Sequence, residues 1–210
     1  MNRDVAGIIL AGGRSRRMGG GDKSLLALGG ARLLDHVIKR FVPQVGPLAL
    51  SANGDPIRFA GISLPVLPDT VTGFAGPLAG ILAGLDWATD HTRCPAVVTV
   101  AGDTPFLPEN LVERLVAATA GAPGSMAVAS SGGRRHPTFA LWPTDCRDEL
   151  RRFLVDEDNR RVSAFIDRRD CIEVDFPIED LSGQRLDPFF NINLPDDLAE
   201  AERLSRSMIA

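Results

Sequence analysis

The hydrophobic positions change period along the chain, and the changes mark alternating strands and helices. Val5 to Ala11 is a nearly continuous apolar run carrying Val5, Ile8, Ile9 and Leu10, which predicts a short strand buried on both faces. Leu33, Leu34, Val37, Ile38 and Phe41 recur at helical spacing and predict an amphipathic helix over about 32–42. Pro47 to Ala52 and Leu64 to Leu67 read as a second and a short third strand. Pro77 to Thr89 reads as a helix opened by proline, with Leu78, Ile81, Leu82 and Leu85 on one face. Ala96 to Ala101 is the clearest central strand, and Glu109 to Ala120 is again helical. Ser125 to Ser130 and Thr138 to Trp142 predict strands on either side of a loop, Gly132 to Pro137. Helices are expected near 145–155 and 160–168, and a last short strand at 173–176. A closing helix over 194–206 has Asp196 and Asp197 in its first turn.

Strands alternating with helices predict an α/β fold, a three-layer sandwich with a mostly parallel, Rossmann-like sheet. The less regular pattern after residue 125 predicts some antiparallel pairing. The 210 residues suit a single domain, 1–210. Ligands of such sheets bind where strands deliver their carboxyl ends. Three loops qualify: those after Ala11, Ala52 and Ala101.

The first of these loops changes the picture most. Leu10 and Ala11 lead into Gly12 and Gly13, then Arg14, Arg16, Arg17, Gly19, Gly20, Gly21, Asp22 and Lys23. Glycines let backbone N–H groups approach phosphate oxygens, and the cations suit a triphosphate. The loop is not a Walker A sequence, because Asp22 stands where that pattern needs glycine before Lys23 and Ser24. Nor is it a dinucleotide fingerprint, since the glycine spacing is wrong and the loop too long.

Asp103 follows the central strand. It could place a hard oxygen ligand for magnesium at the sheet edge, or simply shape a turn in Asp103-Thr104-Pro105. Asn191 and Asn193 share a face if extended, yet they also suit the entry to a helix. Arg134, Arg135 and His136, with Arg160 and Arg161, could grip phosphate or form a solvated charge cluster.

Composition narrows the classes. The net charge of −4 argues against broad nucleic-acid binding. No apolar run reaches the length of a membrane span, and no secretory leader is expected. Cys94, Cys146 and Cys171 are odd in number and widely spaced, so neither a disulfide framework nor a zinc site is expected, and a cytoplasmic location is.

Taken together, Leu10-Ala11-Gly12-Gly13, Arg17-Met18-Gly19-Gly20, Asp22-Lys23, Gly76-Pro77-Leu78-Ala79-Gly80, Asp103-Thr104-Pro105 and Asn191-Ile192-Asn193 resemble the molybdenum cofactor guanylyltransferase family of nucleotidyltransferases. The resemblance implies transfer of GMP from GTP to molybdenum-molybdopterin, with release of pyrophosphate. It implies a nucleotide site formed by Leu10, Ala11, Gly12, Gly13, Lys23, Ser51, Asn53, Asp69, Gly76, Gly80 and Asp103. Arg17, Lys23 and Asp103 would be catalytic, Asp103 holding Mg2+. Arg135, His136, Arg160, Arg161, Asn191 and Asn193 would meet the second substrate. The family often has asparagine where Ser51 stands. A monomer or weak oligomer in transient contact with cofactor-delivery proteins is expected. Gly13 favours a purine over the pyrimidine of a related cytidylyltransferase. A non-catalytic nucleotide-binding protein on the same fold is the remaining alternative.

Overall fold

A computed structural model describes residues 4–12, 22–71, 73, 76–181 and 184–207. The apolar runs form β1 (Val5–Leu10), β4 (Leu48–Ser51), β5 (Val66–Leu67), β6 (Ala96–Ala101), β7 (Met126–Ser131), β8 (Arg134–Pro143) and β9 (Cys171–Asp175). Short strands β2 (Ala27–Leu28) and β3 (Ala31–Arg32) pair as one hairpin, and β10 (Glu179–Leu181) and β11 (Gln184–Leu186) as another. The helices are α1 (Leu33–Phe41), α2 (Pro77–His91), α3 (Leu111–Thr119), α4 (Arg147–Val155), α5 (Val162–Ile166) and α6 (Pro195–Ser207).

Seven strands share one sheet in the order β5-β4-β1-β6-β8-β7-β9. β5, β4, β1 and β6 are mutually parallel. β8 runs against both β6 and β7, and β9 is parallel to β7. The expected α/β sandwich with a mostly parallel sheet is therefore present, and its reversed strand falls after residue 125.

Two buried clusters make the layers. Leu34, Val37 and Phe41 of α1 join Leu111 and Leu115 of α3 over Ile9, Val98, Val100 and Leu141. On the other face α2, α4 and α5 cover Ile8, Val97, Val128 and Trp142. A third cluster, including Leu28, Leu33, Ile192 and Leu204, fastens α6 beside the sheet. α2 lies close to β1: a Cβ added at Gly84 would come within 2.6 Å of Ile8 Cγ1.

The segment Gly132–Pro137 departs from expectation. The link between β7 and β8 is only Gly132 and Gly133, with φ of 55° and 76°. Two consecutive positive φ values match the tight turn whose twist suits a hairpin. Arg134, Arg135, His136 and Pro137 are thus strand residues. The helix expected over 160–168 is only Val162–Ile166, and the two short hairpins have no counterpart in the hydrophobic pattern.

Candidate nucleotide and metal site

β4, β1 and β6 are neighbours, so the loops after Ala52, Ala11 and Ala101 open at one sheet edge. Backbone hydrogen bonds carry the pairing past the strand ends. Ala11 N donates to Ser51 O at 2.9 Å, Ala52 N to Leu67 O at 2.9 Å, and Gly102 N to Leu10 O at 3.0 Å. Gly13, Arg17 and the rest of 13–21 lie outside the described residues.

Beyond β4, Asn53 and Asp69 clasp each other. Asn53 Nδ2 donates to Asp69 Oδ2 at 2.6 Å, and Asp69 N donates to Asn53 Oδ1 at 2.9 Å. Burial pushes the Asp69 carboxyl above its ordinary range, while the Asn53 hydrogen bond opposes the rise. Ser51 is buried, and its Oγ presses on Gly80 of α2, where a Cβ would collide with it. Leu10 Cδ2 would lie 3.2 Å from that same Cβ. Leu10, Ser51 and Gly80 therefore form one wall, with Asn53 and Asp69 continuing from it. Gly76, with φ of 145°, precedes Pro77 at the start of α2.

Arg58, absent from any motif, joins two parts of this edge. It donates from Nη2 to Asn53 O, from Nη1 to Asp55 O at 2.6 Å, and pairs through Nε with Asp22. No sequence signal marks that pair, because the two residues are related only by the fold.

Beyond β6, Asp103 gathers three partners. Asn191 Nδ2 donates to Asp103 Oδ1 at 2.8 Å, and Ile192 N donates to Asp103 O at 3.1 Å. Lys23 Nζ lies 4.0 Å from Asp103 Oδ2 and donates to Asn193 Oδ1 at 2.5 Å. Burial raises the Asp103 carboxyl; Lys23 and the Asn191 hydrogen bond work against the rise. Asn193 N and Leu194 N both donate to Asp197 Oδ2, at 2.7 and 2.8 Å, which anchors the asparagine segment to α6.

The donor set can be tested for fit to a divalent cation. Asn191 Oδ1 is buried and accepts no hydrogen bond among the described residues, and Ser24 Oγ, next to Lys23 in the chain, is likewise buried without a hydrogen-bond partner there. An orphaned buried acceptor is costly unless something electropositive meets it. A carboxylate beside a spare amide oxygen is a hard-oxygen pair suited to a cation that also takes phosphate oxygens. No cluster of three or more His, Cys, Asp or Glu occurs among the described residues, so an all-protein metal cage is not the design there.

The residues expected to meet the second substrate divide. Asn191 and Asn193 join the Asp103 cluster. His136 lies in the β7–β8 hairpin, its ring stacked on Phe189 at 4.5 Å between centroids. Arg135 follows the opposite strand face, pairing with Glu173 at 2.7 Å and Asp167 at 2.9 Å. Arg160 pairs with Asp158 at 3.2 Å, and Arg161 N donates to Asn159 Oδ1 at 3.1 Å.

Residues 7–171 match the family described as the MobA-like NTP transferase domain. A molybdenum cofactor guanylyltransferase of Mesorhizobium japonicum is 69% identical over 208 residues, covering 99% of each chain. One from a Bradyrhizobium species is 52% identical over 202 residues, covering 96% of this chain and 93% of the relative. Among solved structures, molybdopterin-guanine dinucleotide biosynthesis protein A of Archaeoglobus fulgidus superposes with a TM-score of 0.76. It is 25% identical and is covered in full, against 97% of this chain. A 2-C-methyl-D-erythritol 4-phosphate cytidylyltransferase of Thermus thermophilus shares the fold, with a TM-score of 0.69 at 20% identity, covering 98% of this chain and all of that one.

Proposed function

Because the chain belongs to the molybdenum cofactor guanylyltransferase family of nucleotidyltransferases, we propose that it transfers GMP from GTP to molybdenum-molybdopterin. The products are the guanine dinucleotide form of the cofactor and pyrophosphate. The observation that carries this reading is the Asp103 cluster. One carboxylate, one spare amide oxygen and one ammonium group meet beside a wall that suits a nucleotide.

A phosphate oxygen of the pterin attacks the α-phosphorus of GTP, a new P–O bond forms, and the bond to the β-phosphate bridging oxygen breaks. That nucleophile is already ionised near neutral pH, so no strong base is required. The obstacle is the approach of one anion to another, and positioning with charge neutralisation carries the acceleration. Asp103 and Asn191 would hold a divalent cation, Mg2+ in this reading, which would supply positive charge to the phosphate oxygens. Lys23 is steered by Asn193 Oδ1 and neutralises charge on the departing pyrophosphate. The Asp69 carboxylate keeps one oxygen beyond its bond to Asn53, and a carboxylate accepts readily from the paired N–H groups of guanine. The choice of GTP over CTP rests on the similarity to guanylyltransferases.

No helix among the described residues is long and apolar enough to cross a membrane. Cys94, Cys146 and Cys171 form no disulfide among the described residues, which supports placing this single-domain enzyme in the reducing cytoplasm. The reading is checked by a thermal-shift screen of GTP, CTP and ATP with Mg2+. A ligand of the folded state raises the melting temperature with its affinity. GTP is expected to give the largest shift, and a larger shift with CTP would contradict the assignment.

A further inference from the structure

Ser131 ends β7 and is 2% exposed. Its Oγ lies 2.8 Å from Asp187 Oδ1 and 2.7 Å from His136 Nε2. An ionised carboxylate only accepts, so the single hydroxyl proton goes to Asp187. His136 Nε2 must then be the protonated ring nitrogen, donating to Ser131 Oγ. The tautomer of His136 is thereby set by a buried serine.

The trio has the members of a hydrolytic triad in the wrong order. A nucleophilic serine needs histidine in the middle, accepting its proton. Here serine is in the middle, its hydroxyl donates to the carboxylate, and its oxygen is buried. A positioning task suits this arrangement instead.

The connections show what is positioned. Asp187 Oδ1 also accepts from Phe189 N at 2.9 Å, and Phe190 N donates to Asp187 O at 3.0 Å. The Phe189 ring packs on His136, on Phe139 at 4.9 Å and on Phe176 at 5.4 Å. Phe190 is followed by Asn191 and Ile192, both donors to Asp103. A continuous path thus runs from the β7–β8 hairpin through Ser131 and Asp187 to the carboxylate at the end of β6.

We propose that Ser131, His136 and Asp187 form a positioning relay that sets Asn191 against Asp103. The relay rests on the reading of Asp103 and Asn191 as the transferase centre. Its effect falls on turnover, because the wall formed by Leu10, Ser51 and Gly80 belongs to other elements. His136 acts through Ser131, and neither residue needs to touch GTP.

The test uses the full chain with Ser131→Ala, Ser131→Thr, His136→Ala and His136→Gln. Loss of one such hydrogen bond is expected to lower kcat for pyrophosphate release about tenfold in Ser131→Ala and His136→Ala. The KM for GTP is expected to stay within about twofold, a split that follows from the separate placement of the wall. Ser131→Thr, which restores the hydroxyl, and His136→Gln, which restores an N–H donor, are expected to recover most of the loss. Long-range 1H–15N spectra of the nucleotide-free protein should show the Nε2–H tautomer of His136, with that preference lost in Ser131→Ala. If Ser131→Ala does not fold, the His136 pair and the spectrum still decide. Normal kcat in both alanine variants, or the Nδ1–H tautomer in the wild type, would overturn the relay. Failure of the wild type to release pyrophosphate would count against the proposed activity, leaving the substrate-free spectrum to judge the relay.

Discussion

The side-chain amide of Asn191 donates to Asp103 Oδ1 at 2.8 Å, across 88 positions of sequence. That bond orients the amide so that its oxygen is left buried and without a hydrogen-bond partner among the described residues. It also favours the ionised form of a carboxylate that burial would otherwise neutralise.

Removing that carboxylate should stop turnover without unfolding the chain. Asp103→Ala is expected to lower kcat on the order of 100-fold or more, as loss of a group aimed at developing charge does. Lys23→Ala should cost a similar factor. The melting temperature of Asp103→Ala should be no lower than that of the wild type, because the buried charge is costly to the fold. Circular dichroism melts alongside a pyrophosphate assay check both points.

Two glycines in α2 separate packing from binding. Gly84→Ala places a methyl 2.6 Å from buried Ile8 Cγ1, and overpacking of this kind costs about 1–3 kcal/mol. A denaturant titration should show that loss, and Ile8→Val should relieve part of it. Gly80→Ala instead drives a methyl against Ser51 Oγ in the proposed nucleotide wall. Weaker GTP binding is expected there, partly restored by adding Ser51→Ala.

A buried bond beneath the site can be tested by itself. Thr99 Oγ1 accepts from Trp142 Nε1 at 2.9 Å and donates to Thr138 O at 2.9 Å, fully buried. Thr99→Val orphans an indole N–H and a carbonyl, a loss of about 1–3 kcal/mol. Thr99→Ser keeps the hydroxyl and should lose less in the same titration.

Burial lowers the His136 pKa below its usual 6.5, with Arg134 adding to the fall and Asp187 opposing it. The unfolded chain therefore takes up this proton first as pH drops. Stability from the neutral ring is present above about pH 6.5 and is lost as pH falls towards the folded value. The melting temperature should fall less between about pH 7.5 and 5.5 in His136→Gln than in the wild type.

Much of this was legible in the sequence because the elements bury strong periodic patterns. β6 spans the six residues Ala96–Ala101 expected of it, and Asp103 stands at its end as its position suggested. The asparagine pair was visible as a motif, but which atom was spare depended on Asp103 arriving from another element. The sequence places the flanking strands of the β7–β8 hairpin but makes the loop too long, because Arg134, Arg135 and His136 look like loop residues; the register to Ser130 and Ser131 makes Arg134 and Arg135 strand. Ser131, Asp187 and Arg58 carry no motif, and the Asp22 motif gives no sign of its pairing with Arg58, since ordinary polar residues gain meaning only from distant partners. Arg17 and Gly13 lie outside the described residues, so their roles remain what the resemblance implies.

The most direct measurement is pyrophosphate release by the purified chain with molybdenum-molybdopterin, Mg2+ and either GTP or CTP, repeated with Asp103→Ala. Release with GTP well above CTP, reduced on the order of 100-fold in the variant, is the predicted result. Equal or greater release with CTP, or near-normal GTP turnover by Asp103→Ala, would contradict the account.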